Sequence, residues 1–109
     1  MKFYKYTQNN SGGTFRVNDQ VTIDVLIEAP DQTRANAIAE TIGIYFDGCD
    51  QDIDCSCCGD RWYRTSNNDT VERDKIEEYN KYSAGWVENG KPWRYIYFAD
   101  GSKKSVIKK

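Results

Sequence analysis

The stretch "PWRYIYFADGSKKSVI", residues 92–107, decides the reading of the fold. An aromatic and β-branched run meets an Asp100-Gly101 pair, which suits a type I′ turn, and a second short apolar run closes it. This is a β-hairpin. Working back from it, "VTIDVLIEA", residues 21–29, alternates with Val21, Ile23, Val25 and Ile27 on one face and Thr22, Asp24 and Glu28 on the other, as a half-buried strand does. "KFYKYT" near the start carries strand-forming aromatics, and "NNSGG", residues 9–13, reads as a turn joining it to "TFRV" in another hairpin. Between the strands, Asp31 after Pro30 reads as a helix N-cap. Ala35, Ile38, Ala39 and Ile42 follow at helical spacing, and Gly43 is placed to stop the helix. "IYF" after the glycine is apolar enough to pack back onto the sheet, and "RWYR" reads as a short strand. Asp74 with Glu77 resembles a capping box opening a second short helix, with Ile76, Tyr79 and Tyr82 as its buried stripe. The expected architecture is α+β: an antiparallel sheet of about five strands covered by one main helix, with a cysteine-rich loop and a second short helix.

The chain's 109 residues fit one domain, 1–109, with a modest core of its own. Hydrophobic residues at 39% and charged residues at 29% exclude a disordered tail. The net charge of −2 implies no overall attraction to nucleic acid or to an anionic membrane, so any such contact must be local. Residues 103–109 carry four lysines without an acid, read as a solubilising end. The start of the chain turns polar after six residues, no stretch approaches a membrane span, and the expected compartment is the cytoplasm, where thiols stay reduced. Histidine is absent, which removes the commonest general base and the usual partner of a Ser or Cys nucleophile. A non-enzyme is expected.

All four cysteines fall in residues 48–62, "GCDQDIDCSCCGDRW". Cys55 and Cys58 form a C-x-x-C pair followed by glycine, the shape of a zinc knuckle, which supplies two of the four ligands a structural zinc needs. Cys49, Cys57 or an aspartate such as Asp54 or Asp60 would complete the set. Because Cys57 and Cys58 are adjacent, a site within one chain is cramped, and a zinc shared between subunits implies a homo-oligomer. The alternative is that these are reduced, partly buried small residues in a tight loop. A redox pair needs a low-pKa thiolate, which Arg61 and Arg64 favour and the neighbouring aspartates oppose. Asp50, Asp52 and Asp54 alternate as in a calcium loop, but Cys55 stands where that loop needs glycine and Arg61 where it needs glutamate.

"KFYKYTQNNSGGTF", "IEAPDQTRANAIAETIGIYFDG", "IDCSCCGDRW" and "FADGSKKSVIK", in this order, resemble a family of small tailed-phage proteins. That family has a "KYTQNNSGG" hairpin, an "IEA" strand, a helix ending in Leu-Gly or Ile-Gly, a "D-C-x-C-C-G-D-R-W" segment and a closing aromatic hairpin through "DG". The likeness is specific at residues 6–13 and 54–62 and weaker at 65–91, where this chain looks shorter. It implies a phage accessory protein in the cytoplasm of a bacterial host and carries no established activity across. Its signature includes Cys55, Cys57 and Cys58 and leaves Cys49 outside.

The leading functional expectation is a non-catalytic binding factor with a counter-defence role, inhibiting a host protein or capturing a small nucleotide-like ligand. Arg61, Trp62, Tyr63, Arg64, Trp86, Trp93 and Arg94 are its candidate contacts, because Tyr, Trp and Arg dominate interfaces and also stack on bases. Packing within the sheet is the competing use of the same aromatics. A zinc-stabilised nucleic-acid module and a cysteine-dependent enzyme are the alternatives.

Overall fold

The computed structural model describes residues 1–10, 13–54 and 56–109. Its elements are β1 (Lys2–Thr7), β2 (Asp24–Ala29), α1 (Gln32–Thr41), β3 (Thr70–Val71), a 3₁₀ turn (Arg73–Lys75), α2 (Lys81–Ala84), β4 (Pro92–Tyr97) and β5 (Lys103–Ile107). One five-stranded sheet runs β3-β1-β2-β4-β5. The α+β reading with one main helix and a short second one therefore holds. The sheet is mixed and not wholly antiparallel, because β2 and β4 pair in parallel, Val25 opposite Tyr95 and Ile27 opposite Tyr97. Parallel neighbours need a long crossover, and the segment carrying α1 and the cysteine loop supplies one.

The terminal hairpin forms, with Tyr95 opposite Ser105, but its turn is not type I′: Gly101 has φ +91° and Asp100 does not have the positive φ that turn requires, and the Phe98 N–H donates to the Ser102 carbonyl at 2.9 Å to close a longer loop. The expected first hairpin does not form. β1 pairs with β2 instead, Tyr4 opposite Ile27. Arg16 is held by a side chain and not by a ladder: its N–H donates to Gln8 Oε1, while Gln8 Nε2 donates to its carbonyl at 2.9 Å. Ser11 and Gly12 of the expected turn lie outside the described residues. "RWYR" is not a strand either, although Trp62 does enter the core.

Helix α1 begins where the Asp31 side chain accepts from the Arg34 N–H at 2.8 Å. It ends with Gly43 at φ +96°, and the Ile44 N–H reaches back to the Ala39 carbonyl at 3.1 Å in a Schellman closure. Ala35 and Ala39 are fully buried, and their small side chains let the helix lie close to Tyr4, Tyr6, Val25 and Ile27, with Ile44, Phe46 and Trp62 completing that core. The opposite sheet face has a smaller cluster of Phe3, Leu26 and Ile96, plugged by Ile76.

The segment that carries Ile76 departs from expectation. Glu72, before the 3₁₀ turn, makes no side-chain cap, whereas the Asn80 side chain accepts from the Tyr82 and Ser83 N–H groups at 3.0 and 3.1 Å. Asn80 thus starts a new helix where a continuous one was expected. Of the expected buried stripe only Ile76 is buried, and Tyr79 and Tyr82 are 53% and 71% exposed.

Candidate functional site

Two regions gather chemistry-bearing side chains: the cysteine loop and the second sheet face.

The cysteine loop is organised by Arg61. Its Nη1 donates to Gln8 Oε1 at 2.9 Å and to the Thr14 carbonyl at 2.8 Å, its Nε to Tyr45 Oη at 3.2 Å, and its backbone N–H to Asp54 Oδ2 at 2.7 Å. Asp54 also accepts from the Tyr45 hydroxyl at 2.6 Å. Burial and the bond to this carboxylate both raise the Tyr45 hydroxyl pKa. Glycine is required at Gly48, because a Cβ there would lie 2.0 Å from Asp54 Oδ2. Asn9 fastens the far side of the loop, its Nδ2 donating to the Cys58 and Asp60 carbonyls at 3.0 Å each.

Of the cysteines considered as metal ligands, Cys49 is half-buried, Cys57 and Cys58 are exposed with their sulfurs 3.7 Å apart, and Cys55 lies outside the described residues. A hydrogen bond to Asp60 is the largest cause pushing the Cys49 thiol up to about 11, the opposite of what a reactive thiolate needs. Among the described residues no group of three or more Cys, Asp or Glu side chains is placed to hold a metal ion. Asp54 is already engaged by Arg61 and Tyr45, which removes it from any calcium loop.

The expected partner contacts divide by burial. Trp62 and Trp93 are 1% and 0% exposed, and Arg61 and Arg94 are also buried, so these four build the interior and offer no stacking surface. The polar ends of the two arginines are spent inside, Arg94 donating from Nε to Asp24 Oδ2 at 2.9 Å and from Nη1 to the Ile76 carbonyl at 3.0 Å, whereas the buried indole Nε1 atoms of Trp62 and Trp93 have no hydrogen-bond partner among the described residues. Tyr63, Arg64 and Trp86 remain at the surface, Arg64 paired with Asp47 at 2.8 Å.

A cleft of about 540 Å³ opens on the second sheet face, between strand β1 and the segment that runs from β3 into α2. The sheet supplies Lys5 and Arg94, and the segment supplies Lys75, Tyr79, Lys81 and Tyr82. Glu72 and Glu78 also line it. Arg94 is neutralised by Asp24. Lys5, Lys75 and Lys81 form no ion pair among the described residues, which leaves the cleft three cations against two carboxylates.

Both tyrosines are in contact with a tryptophan. Tyr79 meets Trp93 edge-on at 5.9 Å, and Tyr82 meets Trp86 edge-on at 6.4 Å, with Trp86 in turn 4.9 Å from Phe15. The Arg94 bond to the Ile76 carbonyl ties their segment to the sheet. The result is a pre-set aromatic wall beside cations, a combination that binds rings and anions. Sequence reasoning missed Lys5, Lys75, Tyr79, Lys81 and Tyr82. The available signal was Asn80, a strong N-cap residue in the middle of the supposed helix.

No helix among the described residues is long and apolar enough to cross a membrane. Residues 1–108 match the model of a family described as a domain of unknown function, DUF7296, and the chain belongs to that family. No curated protein and no solved structure matches the chain.

Proposed function

We propose that the chain is a non-catalytic binding protein whose binding site is the tyrosine-walled cleft on the second sheet face. One observation carries this reading. Two tyrosines, 53% and 71% exposed and each in edge-on contact with a tryptophan, line the cleft with three lysines that have no ion-pair partner among the described residues. Rigid exposed aromatics next to uncompensated charge fit recognition better than solubility, which lysine and glutamate alone would serve. The tailed-phage resemblance supports an accessory role inside a bacterial host, with counter-defence as the biological setting. Zinc at Cys49, Cys55, Cys57 and Cys58 is a separate reading that nothing in the cleft requires.

The test is a shift map of ¹⁵N-labelled protein titrated in turn with the small-molecule and the macromolecular fraction of a bacterial extract. The expected result is a set of amide shifts centred on Lys5, residues 70–72 and residues 79–82 with one of the fractions, and no loss of any extract compound. Shifts confined to the cysteine loop, or turnover of a compound, would count against it.

A further inference from the structure

We propose that the cleft takes a nucleoside phosphate, with the base against Tyr79 and Tyr82 and the phosphate at Lys5, Lys75 and Lys81. This rests on the reading of the cleft as the binding site and names its ligand class.

The lining contains three kinds of group, and the proposed class uses all three. The tyrosine rings present faces and edges on which any base can stack. The lysines are compact point charges, the form in which lysine serves phosphate. Glu72 and Glu78 would repel a phosphate placed beside them, yet carboxylates accept hydrogen bonds from ribose hydroxyls and exocyclic amines. An inorganic polyanion leaves the tyrosines idle and meets two carboxylates. An acidic peptide meets the same two carboxylates and has no use for them. A ligand that carries a ring, hydroxyls and an anion satisfies the set. The cleft volume of about 540 Å³ lies within the range of small-ligand sites.

The site is also built before any ligand arrives. Trp93 and Trp86 brace the tyrosines, the Asn80 cap fixes the turn between them, and Arg94 pins the segment through the Ile76 carbonyl. A braced ring loses little freedom when a base settles on it, so its stacking is not offset by ordering.

The test is calorimetric titration of the whole chain with four probes: the 5′-monophosphates of the common ribonucleosides, the corresponding nucleosides, ribose 5-phosphate and inorganic phosphate. At least one monophosphate should bind with one ligand per chain, and removal of either its base or its phosphate should weaken binding about tenfold or more. Tyr82→Ala should weaken the monophosphate about tenfold, the size of one stacked base, and leave ribose 5-phosphate unchanged. Lys75→Gln should weaken the monophosphate and ribose 5-phosphate and leave the nucleoside unchanged. Both side chains are exposed, and an unaltered urea midpoint for each variant confirms that folding is intact. The proposal is overturned if no monophosphate binds, or if ribose 5-phosphate binds as tightly as the best of them. In either case an extract-induced shift map that still lands on the cleft keeps the binding reading and discards only the nucleotide, whereas a map that leaves the cleft unmoved discards both.

Discussion

Arg61 and Arg94 have the same chemistry as the exposed Arg64, and their surroundings give them a different use. Arg94 stands over Asp24, whose side chain is wholly buried, and Arg61 serves Asp54, which is 1% exposed. Truncating either arginine leaves a carboxylate in the interior without its cation. Arg61→Ala and Arg94→Ala are each expected to lower unfolding stability by about 3–5 kcal/mol in urea titrations, whereas Arg64→Ala should leave the urea midpoint nearly unchanged. A similar cost for all three would contradict this picture. The sequence grouped these arginines with the tryptophans as partner contacts, because residue type does not reveal depth. A clue was present in "VTIDVLIEA": an aspartate inside an apolar strand needs a buried donor, and Arg94 lies on the strand that pairs beside it.

Helix α1 was legible because every signal for it is local: an Asp31 cap, small residues on one face and a glycine at the stop. Asp31→Ala should cost about 1 kcal/mol, and Gly43→Ala, at φ +96°, a similar amount. The same reasoning failed over residues 72–84. Tyr79 and Tyr82 follow Ile76 at helical spacing, so periodicity alone read a buried stripe, but the Asn80 side chain captures the next N–H groups and breaks the segment. Asn80→Ala should raise amide exchange through residues 81–84 and loosen the tyrosine wall, while α1 stays protected; hydrogen exchange reads both. Equal protection in the variant would show that packing of Ser83 and Ala84, and not the cap, holds α2. The cleft escaped sequence reading for the same reason. Its cations come from strand β1 and from the segment around α2, far apart in sequence, and only the fold brings them together.

Across the whole molecule, several protons are held more tightly by the fold than by the unfolded chain, so alkaline pH works against it. Burial lifts the Tyr97 hydroxyl to about 12 and raises Tyr6 still further, and the Asp60 hydrogen bond holds Cys49 near 11. All three folded-state values lie above the ordinary 9.0 and 10.0, so the folded state binds these protons more tightly than the unfolded one. Their stabilising effect is therefore complete below about pH 9 and is lost as pH rises through the folded values. The urea midpoint should be level from neutral pH to about 9 and fall between about 9 and 12; a midpoint that stays level past 11 would refute the assignment. Strands β1, β2, β4 and β5 were legible from pattern, whereas the two-residue β3 was not, and "TFRV" and "RWYR" read as strands without being any. The parallel pairing was not legible, because the alternation of β2 fits a parallel or an antiparallel neighbour equally well. That pairing has a consequence for synthesis. About 60 residues separate β2 from β4, so at roughly 5–20 residues per second the central strand leaves the ribosome about 3–12 s before the neighbour that will cover its flank. During that interval β1 and α1 can cover it, but the flank that β4 will pair with stays open to any chaperone within reach.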